Sequence, residues 1–70
     1  MPEIGKIYRH FKGNLYKVID IANHSETLEK MVVYSPLKTG DTWVRPLYMW
    51  DEIVDDKGTK RFTPVEDNFA

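Results

Sequence analysis

The stretch Thr42-Trp43-Val44-Arg45-Pro46-Leu47-Tyr48-Met49-Trp50 decides how the fold is read. Residues 42–45 make a short β-rich run. Pro46 has to end it, because proline has no N–H to give a ladder and suits the first position of a helical turn. Beyond Pro46, the residues Met49, Trp50, Ile53 and Val54 have the spacing of one apolar stripe on a short helix, with Asp51 and Glu52 turned to water. A strand that passes through proline into one helical turn implies a last strand beyond it. Residues 60–62 are the candidate, after a turn at Asp55-Asp56-Lys57-Gly58.

Upstream, short runs rich in Val, Ile and Tyr alternate with Gly, Asn, Asp, Ser and Pro, the pattern of a small all-β domain. Strands are expected at residues 6–10, 15–22 and 28–35, with a tight turn at Phe11-Lys12-Gly13-Asn14. The second strand alternates imperfectly. Tyr16 and Val18 suggest one inward face, Ile19 and Ile21 the other. Either both faces are partly covered, or a bulge between Val18 and Asp20 shifts the phase, which would also help a short sheet to curl. Five short strands with one helical turn before the last describe a small SH3-like barrel.

With 70 residues the chain is expected to form a single domain, residues 1–70, with 63–70 as a loose tail. So short a chain buries only about 60% of its unfolded surface. There is no cysteine to staple it, so aromatic rings are expected to carry the core. Four Tyr, three Phe and two Trp do not all fit inside so small a core, and some should line a surface groove. Ten basic and eleven acidic residues give a net charge of −1, a weak basis for binding a phosphate backbone. The basic first hairpin, with Lys6, Arg9, Lys12 and Lys17, keeps nucleic-acid binding as an alternative. No apolar run nears the ~20 residues of a membrane helix, and the N-terminus lacks the apolar region of a signal peptide, so a cytoplasmic protein is expected.

Several blocks resemble a known family: Gly5-x-x-Tyr8-x-His10-x-Lys12-Gly13, Ala22-x-His24-Ser25-Glu26-Thr27, Val32-Val33-Tyr34, Trp43-Val44-Arg45-Pro46 and Arg61-Phe62. They are similar to the small bacterial domain-of-unknown-function family 1653, over residues 5–62. The resemblance implies an SH3-like barrel and brings no activity, cofactor or catalytic residue. One departure is Trp50, where the resemblance implies Phe.

His24, Ser25 and Glu26 contain the groups of a hydrolytic relay. A relay needs its base within hydrogen-bond reach of the nucleophile, and consecutive residues of an extended chain point apart. The plainer reading is a loop whose polar side chains bond its own backbone. His10 and His24 are too few to define a metal site, which takes three or four ligands, and no cofactor is expected. Arg45 follows Trp43 by two, so both lie on one face of a strand. There the guanidinium could stack on a ring or offer its fork to a carboxylate or phosphate, or pair internally with Glu26 or another acid. The favoured expectation is a non-enzymatic module that binds a peptide, a small ligand or a partner protein through His24, Ser25, Glu26, Thr27, Trp43 and Arg45. A small hydrolase or metal-dependent enzyme ranks lower, and excess exposed aromatic surface leaves homo-oligomer formation open.

Overall fold

Five strands form one antiparallel sheet in the computed structural model, which describes residues 1–65: β1 (Ile7–His10), β2 (Leu15–Asn23), β3 (Lys30–Pro36), β4 (Trp43–Pro46) and β5 (Phe62–Pro64). The order across the sheet is β4-β3-β2-β1-β5. The first four strands follow one another as a meander. A single helical turn, α1 (Leu47–Trp50), then begins the path that brings β5 beside β1. The expected all-β fold and helical turn are both present. The sheet curls but does not close into a barrel, because β4 and β5 remain as its two edges. Each edge strand ends on a proline, Pro46 and Pro64, which cannot donate to a further strand.

The ambiguity in β2 resolves as a bulge. Val18 pairs with Tyr34 and Asp20 with Val33, so Ile19 is the extra residue. Val18 is fully buried, while Ile19 is 46% exposed. With Ile19 absorbed by the bulge, Ile21 comes opposite Val32 and regains the inner face. The β1–β2 turn closes through Gly13 N–H donating to His10 O at 2.7 Å, with Gly13 at φ +106°, where a side chain would be strained.

The core gathers Tyr8, Val18, Val32, Tyr34, Trp50 and Phe62, with Tyr16, Ile21 and Leu47 packed against it. Trp50 and Phe62 stack with ring centres 3.7 Å apart and planes 5° from parallel. Tyr8 and Tyr34 meet Trp50 edge-on at 5.5 and 5.1 Å. Edge-to-face and offset pairs of this kind add about 0.5–1.5 kcal/mol each beyond the area they bury.

Two expectations for the C-terminal part need correction. The apolar stripe predicted through Ile53 and Val54 ends at Trp50. Asp51 leaves helical geometry, and Ile53 pairs across a bridge with Lys60 at 49% exposure. The reason is the tight turn that follows. The Asp55 carboxylate accepts from the amides of Lys57 (2.9 Å) and Thr59 (3.1 Å), and Val54 N–H donates to Thr59 O, so the backbone is committed to a small hairpin. The predicted loose tail also begins too early. Thr63 and Pro64 belong to β5, and Val65 N–H donates to Ile7 O at 3.0 Å. Residues 66–70 of that tail lie outside the described residues.

Candidate functional site

The candidate residues fall into two groups at different places in the sheet. His24, Ser25, Glu26 and Thr27 form the exposed turn between β2 and β3. It closes through His24 N–H to Glu29 O and Leu28 N–H to His24 O, both 2.8 Å. Inside it, His24 Nδ1 accepts from the amides of Glu26 (3.2 Å) and Thr27 (3.3 Å), which assigns the ring proton to Nε2. Thr27 Oγ1 accepts from Glu29 N–H at 3.2 Å. His24 thus serves the turn as an Asx side chain would, and its Nδ1 is committed to the backbone. Leu28 carries the strain of the turn at φ +63°.

Trp43 and Arg45 lie on β4, where Trp43 pairs with Tyr34 and Arg45 with Val32, so both face the concave side. Arg45 Nε donates to the Tyr34 hydroxyl at 3.3 Å, and the guanidinium carbon sits 5.7 Å from the centre of the Phe62 ring. Trp50 stacks on that ring. No carboxylate pairs with Arg45 among the described residues, whose ion pairs are Lys6–Glu3 and Arg61–Glu52. The internal pairing with Glu26 does not form. Nor does any hydrogen bond or ion pair among the described residues join the 24–27 turn to Trp43 or Arg45.

His10 stands at the other end of β2 from His24, which rules out a metal shared by the two histidines. Among the described residues no group of three His, Asp or Glu gathers to hold a metal. His10 packs instead against Phe11 (4.5 Å), Phe62 (5.1 Å) and Tyr16 (6.2 Å), and its Nδ1 accepts from Lys12 N–H at 3.2 Å. Partial burial, followed by the charges of Arg45, Arg61 and Lys12, holds its pKa below the ordinary 6.5. The unfolded chain therefore binds this proton more tightly than the folded one. The contribution to stability is complete above 6.5 and is lost as pH falls through 6.5 toward the folded value. Urea midpoints measured across that window should drop for the wild type more than for His10→Gln. Identical pH profiles would count against the neutral His10.

A cleft of about 440 Å³ opens at the end of the sheet where the β1–β2 turn meets the β3–β4 loop. Tyr16, Pro36, Leu37 and Trp43 supply its apolar wall, and Arg9, Lys38 and Asp41 its charged rim. Trp43 is 54% exposed and Leu37 51%. Tyr16 joins this cleft to the ring cluster, since it lies 5.4 Å from Tyr34 and 5.7 Å from Phe62. The basic hairpin is less uniform than its sequence suggests. Lys6 is paired with Glu3, Lys12 lies over Phe11 at 5.8 Å, Lys17 stands opposite Ile7 on the outer face, and Arg9 borders the cleft. Sequence reasoning missed Tyr16, Pro36 and Leu37 as lining residues and His10 as a neighbour of Arg45. Both groupings depend on cross-strand register, which local pattern does not carry.

These features define a small all-β domain with an aromatic-walled surface cleft. The chain belongs to the family described as "Protein of unknown function (DUF1653)", whose profile matches residues 6–64. It is similar to the crystal structure of a protein of that family from Bordetella bronchiseptica. The identity is 34%, over 90% of this chain and 87% of that one, with a TM-score of 0.76. No curated protein matches the sequence significantly. Among the described residues no helix is long and apolar enough to cross a membrane.

Proposed function

We propose that the chain is a non-enzymatic binding module that takes an extended peptide segment of a partner in the cleft walled by Trp43 and Tyr16. The observation that carries this reading is Trp43 itself. This tryptophan is 54% exposed, beside Pro36 and Leu37, in a concavity of about 440 Å³. Covering the exposed part of that indole would contribute about 2–3 kcal/mol at the usual yield per apolar area. Clefts of this size suit small ligands and short peptide segments, and aromatic-walled grooves dock extended, proline-containing chains without asking them to fold. Arg9, Lys38 and Asp41 on the rim supply the polar groups that fix orientation. The histidines do not favour catalysis, since Nδ1 of His24 and of His10 each accept from backbone amides of their own turns.

The test is an amide-resolved NMR titration with proline-rich peptides, single-stranded RNA and DNA, and nucleotides, following the Trp43 indole. Proline-rich peptides should move the signals of Trp43, Tyr16 and Leu37. Trp43→Ala should lose about tenfold to a hundredfold in affinity, as an aromatic anchor in an interface does, while its unfolding midpoint stays near that of the wild type. Equal affinity in both proteins would remove the cleft from consideration. Shifts confined to Lys12 and Lys17, with single-stranded nucleic acid and a steep loss in salt, would favour the nucleic-acid alternative.

A further inference from the structure

Arg45 and His10 approach the same ring from two elements, β4 and the end of β1. Arg45 lies 5.7 Å from the centre of Phe62, and the His10 ring lies 5.1 Å from it. Each is held by one bond that leaves donors over. Arg45 uses Nε on the Tyr34 hydroxyl, so its two terminal nitrogens have no partner among the described residues. His10 uses Nδ1 as an acceptor, so Nε2 carries the proton and likewise has no partner among them. The Glu52 carboxylate is paired with Arg61. A planar guanidinium held near a ring face and by one hydrogen bond has less rotamer freedom to lose when it meets a planar oxyanion.

We propose that Arg45 and His10 form an oxyanion subsite, which receives a carboxylate or phosphate carried by the peptide whose apolar part lies against Trp43 and Tyr16. Trp43 and Arg45 share one face of β4, and Tyr16 spans from the cleft wall to within 6.2 Å of the His10 ring. One ligand can therefore meet both. The local charge agrees. Burial and then Arg45 from β4, Arg61 ahead of β5 and Lys12 from the first turn all disfavour protonation of His10, so the field around its ring is positive and favours an arriving anion. The same arrival raises the His10 pKa, a readout separate from affinity. The subsite relies on the cleft reading only for the apolar half of the ligand.

The experiment uses one proline-rich peptide in three versions, with glutamine, glutamate or phosphoserine scanned along its positions, and separately inorganic phosphate and acetate, all at low salt. At one position the glutamate or phosphoserine version should bind about tenfold tighter than the glutamine version, the usual range for a charge-assisted pair, and should raise the His10 pKa. Arg45→Gln should erase that preference, whereas Trp43→Ala should weaken all three versions and keep it. A preference for glutamate assigns a side-chain carboxylate, and a preference for phosphoserine alone assigns a phosphate. Equal binding of the three versions at every position overturns the subsite and leaves the cleft standing. If no peptide binds, the cleft reading fails and the free anions decide. Saturable shifts of the Arg45 Nε–H and of His10 that vanish in Arg45→Gln sustain the subsite, and no shift up to the solubility limit overturns it. Should Arg45→Gln not fold, Arg45→Lys keeps the charge without the fork. It should lose most of the preference, and an unchanged preference overturns the role of the guanidinium.

Discussion

Trp50→Ala should lower stability by about 3–5 kcal/mol, the range for removing a large aromatic from a packed core. Trp50 is 1% exposed. It stacks on Phe62 and meets both Tyr8 and Tyr34 edge-on, so the indole ties α1 to strands from three parts of the chain. A domain of this length has about 4–10 kcal/mol to lose, and urea unfolding should show a midpoint sharply reduced or no folded baseline at all. Trp50→Phe, the residue that the family resemblance implies at this position, keeps a ring on Phe62 and should cost about 1 kcal/mol. A loss below that for the alanine variant would mean that the stack does not organise the core. Trp43→Ala is the control, because that indole lies half in solvent.

The second large effect separates two neighbours. Val18→Asp places a carboxyl where nothing is exposed and no polar group waits for it, which costs several kcal/mol and should unfold the chain. Ile19→Asp, one residue on, should change stability by less than about 1 kcal/mol, because the bulge turns that side chain outward. Circular dichroism and urea midpoints of the two variants check this directly. Comparable losses in both would show that the bulge does not sort the two residues.

These two pairs also show what the sequence could and could not say. The strand runs, the proline between β4 and α1 and the bulge region were legible, because each depends on neighbours in the chain. That Val18 is buried and Ile19 is not could not be read from the run Tyr16-Lys17-Val18-Ile19-Asp20-Ile21, since the choice is made by pairing with β3. The stripe through Ile53 was misread for a related reason. Apolar spacing does not reveal that Asp55 has already committed the next amides to a turn. Within the candidate site, Trp43 and Arg45 could be placed on one face by simple alternation. The company they keep could not. Phe62 reaches Arg45 from the far end of the chain, and His10 arrives only because β5 pairs with β1. The 24–27 turn looks chemically rich, yet two of its polar side chains, His24 and Thr27, bond the backbone of their own turn.

The pairing of Tyr8 with Pro64 and of His10 with Phe62 joins residues nearly a whole domain apart. That has a consequence for biosynthesis. The meander from β1 to β4 can pair locally as it leaves the ribosome, but Trp50 has no stacking partner until Phe62 has also emerged. A nascent chain stalled before that point carries an unburied indole and an unfinished sheet, the features that chaperones and proteases recognise. Long-range closure is also the slow step in β folding. Commitment to the native state therefore waits for the last strand.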